Sequence, residues 1–139
     1  MASKIATVGV ERVHARTYFR NALQLCEAAQ AAVEQERYDA AVIFAIHAGI
    51  NASDAICIGL GTRKNKEAHD RAADLLEQVG GHADEFIDAA KRLRTLLAQK
   101  NAIEYENKRA TRRDAETGIR RCESLVDWTR ETLARVKLL

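Results

Sequence analysis

YDAAVIFAIHAGINASDAICIGL, residues 38–60, is apolar nearly all round when it is wound as an α-helix. Nothing in it alternates between polar and apolar side chains as a half-buried strand does. A helix that is apolar on every side has to be covered on every side by other elements. We therefore predict that residues 38–60 form the central helix of a bundle.

Four more segments carry apolar side chains at the three- and four-residue spacing of amphipathic helices. They lie at about residues 10–34, 67–79, 83–107 and 114–137. The last has a narrow apolar seam from Ala115 to Val136, a pattern typical of packing along another helix. The chain is predicted to be all-α, an antiparallel bundle of about five helices in a single domain over residues 1–139, with a loop at 62–66 and no strands.

Composition argues against several classes of protein. The net charge of +2 is too small to imply nucleic-acid binding on its own. Cys26, Cys57 and Cys122 have no paired spacing and stand among apolar neighbours, which favours free buried thiols in a reducing, cytoplasmic setting. His47 and Asp54 interrupt the most apolar stretch, and the N-terminus lacks the apolar run of a secretion signal, so no membrane association is expected.

Three polar residues, His47, Asn51 and Asp54, fall on one face of the central helix. One interpretation is that they are satisfied by water or by hydrogen bonds inside the bundle, because buried polar groups nearly always find partners. The other interpretation places Asn51 and Asp54 in a polar pocket that faces Lys100, Asn101 or Glu104.

The apolar stripe of the fourth helix ends in charge. Phe86, Leu93 and Leu97 share one face, and the same face continues into Lys100 and Glu104. Charged side chains at inward-facing positions either cap the end of a bundle or line a polar site.

A basic run follows this stripe directly. Residues 99–139 hold ten basic and seven acidic side chains, and the excess is concentrated in Lys108, Arg109, Arg112 and Arg113, with no acid among residues 108–113. Such a run either binds phosphate or forms a solvated turn between helices.

No motif for a metal or a nucleotide cofactor is present. The four histidines are scattered, without the spacing of zinc ligands. The Gly-rich phosphate loops of nucleotide-binding folds follow strands, and no strand is predicted here. We therefore expect neither a metal nor a cofactor.

A family resemblance rests on residues 37–41 and 44–49, on His69 ahead of residues 75–76, and on residues 100–105. With these segments the chain resembles a HEPN domain over about residues 10–138. The resemblance implies an antiparallel helical bundle that is commonly a homodimer. Many HEPN domains are metal-independent ribonucleases, and several are toxins that act beside a nucleotidyltransferase-type antitoxin. RNA or a nucleotide, and a protein of that type, are therefore the partners that the resemblance implies.

The ribonuclease members carry an arginine, a polar neighbour and, farther along, a histidine at the end of the fourth long segment. By resemblance, Lys100, Asn101 and Tyr105 stand at those positions. A lysine can hold a phosphate without the bidentate fork of arginine, and a tyrosine exchanges protons poorly at neutral pH. Positions 100 and 105 lie about 140° apart on a helix, at roughly 100° per residue, so a second copy of the chain would have to complete the site.

Arg63 and His69 show a similar arginine-to-histidine spacing. They span the loop after the central helix, where the family does not place its site. Short motifs of this kind match by chance often, so we assign the pair no function.

Three functions remain open. The first is a non-catalytic or weakly active module of a toxin–antitoxin or defence system, which binds RNA or nucleotide phosphates through Lys100, Asn101, Asn51, Asp54 and the cations of residues 108–113. The second is a metal-independent ribonuclease in which Lys100 stabilises charge and Tyr105 or Glu104 transfers protons. The third is a helical adaptor that pairs with itself or with a protein partner through the seam of the fifth helix and the end of the fourth helix.

Overall fold

The computed structural model describes residues 4–104 and 106–139, with the backbone alone at Glu104. The fold is 76% helical, and the predicted all-α class is confirmed. The five α-helices in this part of the chain are α1 (Ala15–Glu34), α2 (Tyr38–Gly61), α3 (Ala72–Val79), α4 (Asp84–Glu104) and α5 (Arg112–Arg135).

Helix α2 is the centre of the bundle, as its sequence predicted. It packs against α1, α3, α4 and α5. A Cβ atom on Gly49 would lie 2.5 Å from Cδ2 of Leu96, so the glycine allows α2 and α4 to approach closely. Within residues 4–104 and 106–139, α2 is the one helix long and apolar enough to cross a membrane, and 78% of its most apolar window is buried inside the bundle.

Helices α4 and α5 bury the faces that their apolar patterns predicted. The buried side chains include Phe86, Ala90, Leu93 and Leu97 on α4, and Ala115, Ile119, Cys122, Val126 and Leu133 on α5. Helix α5 packs against α2 and α1 more extensively than against α4. Most of its seam is therefore covered within the chain. The adaptor hypothesis, which also used the end of the fourth helix, stays a prediction.

A short two-stranded ribbon corrects the prediction that the chain has no strands. β1 (Thr7–Gly9) pairs with β2 (Arg63–Asn65) in antiparallel register, with Val8 opposite Lys64. β2 occupies the predicted loop at 62–66. Strands of three residues are too short to show the alternation by which strands are found in a sequence. The ribbon fixes the backbone of Lys64 beside the bundle.

Local hydrogen bonds explain two helix starts that differ from the predicted ones. α5 begins at Arg112, before the predicted residue 114, because the Thr111 hydroxyl accepts a hydrogen bond from the Asp114 N–H. α3 begins at Ala72 rather than at residue 67. The Asn65 side chain accepts a hydrogen bond from the Glu67 N–H and donates one to the Ala68 carbonyl, which holds these residues in a turn.

The remaining differences also lie at helix ends. α1 begins at Ala15 instead of residue 10, after a 3₁₀ turn at Arg12–His14, and another 3₁₀ turn at His69–Arg71 precedes α3. α2 extends to Gly61, one residue past its predicted end. α4 is described as far as Glu104, short of the predicted residue 107, and α5 ends at Arg135.

Candidate functional site

Lys100 lies in the last turns of α4, and its side chain is half-buried. It is close enough to His69 for its charge to act on the imidazole. The pKa of His69 is lowered, first by partial burial and then by the positive charges of Lys100, His47 and Lys64. The inward-facing position that the stripe of α4 predicted for Lys100 is therefore part of a polar site.

Two imidazoles meet beside this lysine. His69, on the 3₁₀ turn before α3, is exposed, and His47, on α2, is half-buried. Their rings stand edge to face, with 6.0 Å between the ring centroids.

A buried carboxyl group lies at the other end of the same face of α2. Asp54 is only 7% exposed, and burial raises its pKa to about 7, although the charge of Lys64 opposes that rise. The Lys64 ammonium also lies 5.6 Å from the centroid of the Tyr18 ring on α1, within the range of a cation–π interaction. We call His47, Asp54, Lys64, His69 and Lys100 the Lys100 site.

Asn51 and Asp54 do not share one set of partners. The Asn51 side-chain amide donates a hydrogen bond of 2.8 Å to the backbone carbonyl of His47, within the same helix. Its amide nitrogen is thus satisfied inside the bundle, which is the first of the two interpretations. The charge that acts on Asp54 comes from Lys64 on β2, whereas the second interpretation had placed Lys100, Asn101 or Glu104 opposite it.

The basic run lies on the other flank of the end of α4. Lys108 and Arg109 line a cavity of about 70 Å³, whose wall also includes Gln99, Ile103 and Asp114. Gln99 itself turns toward α5, because its side chain donates to the Asp114 carbonyl and accepts from Arg121. Lys100 and these two cations therefore flank the same helix end.

Further cations extend this surface toward α2. Arg109 also lines a cavity of about 360 Å³ beside Tyr38 and Asp39. The Arg112 guanidinium lies 5.3 Å from the centroid of the Tyr38 ring and 3.8 Å from the Glu116 carboxylate.

The segment of residues 108–113 is not a solvated turn along its whole length. The Ala110 N–H donates a 2.6 Å hydrogen bond to Asp39, which ties the segment to the start of α2. Arg112 and Arg113 belong to the first turn of α5, and Arg113 is exposed.

The remaining predicted site residues lie at the end of α4. Asn101 is exposed there. Glu104 belongs to α4 by its backbone, and its side chain is not described. Tyr105 lies outside the described residues. The acid–base roles predicted for Glu104 and Tyr105 therefore stay predictions.

Sequence reasoning missed three members of the Lys100 site, His47, Lys64 and His69. His69 did appear in the spacing that was set aside, but the structure joins it with His47 and Lys100 rather than with Arg63. Arg63 and Lys64 are consecutive in β2, so their side chains point to opposite faces of the ribbon. No signal in the sequence indicated Lys64.

Within the described part of the chain, no three histidine, cysteine or acidic side chains lie together as a metal site would require. The chemistry that the Lys100 site offers is instead that of two amines and two imidazoles, with a buried carboxyl group beside Lys64. Such groups bind anions, and phosphate oxygens are good acceptors for them.

A family model described as HEPN domain matches residues 15–132. This chain belongs to the HEPN domain family. No curated protein and no solved structure matches the chain in the same comparisons. The match covers α2, α3 and α4 in full and leaves β1 outside, so the HEPN domain here includes the helices that carry His47, His69 and Lys100.

Proposed function

We propose that this HEPN domain binds the phosphate groups of RNA or of nucleotides without cutting them. The observation that supports this most is the position of Lys100. It takes an inward-facing place at the end of an apolar stripe, yet its charge acts on His69, as the charges of His47 and Lys64 also do. Positive groups of this kind are suited to share an anion, which favours phosphate as the ligand.

Two acids near the site are weak counter-charges. Asp54 has a pKa of about 7, so a large fraction of it is protonated near neutral pH. Asp70, next to His69 in the chain, is exposed to solvent, where its interactions are screened.

The basic run widens the surface that a nucleic acid could contact. Lys108 and Arg109 line a cavity between the end of α4 and the start of α5, whereas Lys100 acts on His69, on the 3₁₀ turn before α3. A single-stranded RNA laid across the end of α4 would therefore meet cations on both sides. Contacts of this type are to phosphates, so the proposal predicts little sequence preference.

The reason for proposing binding rather than cleavage is the identity of Lys100 and Tyr105. They stand where the resemblance places the arginine and the histidine of the ribonuclease members. The proposal includes a homodimer and, as a further partner, a protein of the nucleotidyltransferase type, which both rest on the family alone. It also includes a cytoplasmic location, which rests on the free buried thiols.

Retention of a labelled single-stranded RNA on a filter, between about 50 and 200 mM salt, tests the proposal. Lys100→Gln should weaken retention several-fold and lower the slope of log affinity against log salt by about 0.7, the value for one phosphate contact on a single strand. Lys91→Gln is the matched control, because Lys91 is an exposed lysine farther back on the same helix. Equal retention by both variants, or a flat salt dependence of the wild type, would contradict the proposal.

The paired imidazoles favour one other function, a metal-independent ribonuclease. Cleavage of RNA without a metal needs a base, an acid and a cation, and His47, His69 and Lys100 lie together. Incubation with mixed RNA and EDTA separates the two functions. Cleavage that is lost in both His69→Gln and His47→Gln would replace binding by catalysis, and intact RNA would leave binding as the function.

A further inference from the structure

The buried sulfur atoms of Cys26 and Cys122 form a close pair. Cys26 lies on α1 and Cys122 on α5, 96 residues apart in the chain, and their Sγ atoms are 3.1 Å apart. Cys122 is fully buried and Cys26 is 7% exposed. Nothing in the spacing of the cysteines indicated this contact, because it arises from the packing of the first helix against the last.

We propose that Cys26 and Cys122 are the site of an intramolecular disulfide, which forms when the folded protein meets a peroxide. A disulfide has an S–S length of about 2.05 Å, so the two sulfur atoms have to approach by only about 1 Å. Cys57, the third thiol, lies on α2 and is also buried, so it provides a comparison within the chain.

The two thiols are unequal in a way that assigns them different roles. The hydrogen bond with Cys122 lowers the pKa of Cys26, against the opposing effects of burial and of Glu27, Glu123 and Asp127. The same contact and burial raise the pKa of Cys122. Cys26 is therefore the thiol that ionises first, and it is also the one that solvent reaches.

The reaction proceeds in two balanced steps. The Cys26 thiolate attacks one oxygen of hydrogen peroxide, the O–O bond breaks, and Cys26 becomes a sulfenic acid as hydroxide leaves. The Cys122 sulfur then attacks the Cys26 sulfur and displaces the sulfenic hydroxyl. The proton of Cys122 and the one released at Cys26 end in water. Overall, two thiols are oxidised and one peroxide is reduced to two molecules of water.

The bond would tie α1 to α5 and close a long loop of the chain. A link between positions so far apart in sequence restricts the unfolded chain strongly. We expect the oxidised protein to melt roughly 5–15 °C higher than the reduced protein.

The test treats the native, fully reduced protein with hydrogen peroxide, blocks the remaining thiols with N-ethylmaleimide, and measures the intact mass and the tryptic peptides. With the blocking carried out on denatured protein so that buried thiols react, the expected result is a single N-ethylmaleimide adduct, on Cys57, a further loss of about 2 Da for the two thiol hydrogens, and a peptide that joins Cys26 to Cys122. The rise in melting temperature should be reversed by a thiol reductant.

Three variants serve as controls. Cys57→Ala should form the link like the wild type, while Cys26→Ala and Cys122→Ala should not, with circular dichroism to show that each variant is folded. In Cys122→Ala the sulfenic acid on Cys26 should be trapped by dimedone. The inference fails if folded wild-type protein keeps three blocked thiols, gains oxygen on Cys26 without a link, or links Cys57 instead.

Discussion

The imidazole of His47 meets the imidazole of His69 edge to face, with 6.0 Å between the ring centroids, although the two residues belong to different elements. One ring is fixed by the central helix and the other by the turn that follows the ribbon. Lys100 acts on His69 from α4. The site is therefore assembled from three parts of the chain, and each part can be tested separately.

Removal of the Lys100 charge should raise the pKa of His69. Burial is the first cause of the lowered pKa and stays in place, but the repulsion from Lys100, the second cause, is lost in Lys100→Gln. Titration of the His69 ring proton by NMR measures the change. Lys108→Gln, which lies on the other flank of α4, should leave the His69 titration where it is. A His69 pKa that is the same in Lys100→Gln and the wild type would show that the amine is not near the ring.

Asp54 should make the protein less stable as the pH rises. Its pKa is raised from 3.8 to about 7, so the folded state holds the Asp54 proton more strongly than the unfolded state does. Stability contributed by this proton is complete below about pH 4 and is lost between about pH 4 and 7. The loss amounts to at most about 4 kcal/mol in the free energy of unfolding.

Asp54→Asn should remove that pH dependence. Urea unfolding at pH 5 and pH 8 should show that the variant gains stability over the wild type at the higher pH. Asp70→Asn, which removes an exposed carboxylate, should keep the wild-type difference between the two pH values. If the free energy of unfolding changes with pH equally in the wild type and in Asp54→Asn, Asp54 is ionised without penalty in the folded protein.

The helices of this fold could be predicted because the spacing of apolar residues along the sequence indicates each of them directly. The stripe of α4 also predicted that Lys100 would face inward, and the structure describes it as half-buried beside His69. Lys64 and His69 could not be placed in the same way. A three-residue strand and a turn held by the Asn65 side chain bring them to the site, and neither leaves a periodic pattern in the sequence.

Gly80→Ala should destabilise the protein by about 2 kcal/mol. Gly80 follows α3, and a Cβ atom there would overlap the ring of Phe86. That ring cannot retreat easily, because it is 7% exposed and packs edge to face on Trp128 with 5.2 Å between the centroids. Thermal unfolding measures the loss. Gly9→Ala is the control, since nothing lies within 4 Å of a Cβ atom there, and an equal effect of the two changes would rule out the overlap as the cause.

Thr111→Ala should cost about 1 kcal/mol by removing the cap of α5. Thr111 accepts a hydrogen bond from the Asp114 N–H at 3.1 Å, and the Asp114 carboxylate accepts one from the Thr111 N–H at 2.9 Å. Thr111→Ser should retain most of the stability because it keeps the hydroxyl. Thr95→Ala removes a hydroxyl that bonds only within its own helix and should cost less. If urea unfolding shows the same midpoint for Thr111→Ala and the wild type, the cap does not hold the start of α5.

The pairing of β1 with β2 affects the choice of fragment boundaries for expression of this domain. The family match begins at residue 15, after β1, and ends at residue 132, before Leu138, whose backbone carbonyl accepts a 2.7 Å hydrogen bond from Arg16. A fragment trimmed to the match would leave the edge of β2 open to strands of other molecules, next to Lys64. A fragment that keeps residues 4–139 avoids this aggregation. If an aggregating fragment failed to bind RNA, that result would say nothing about the native protein.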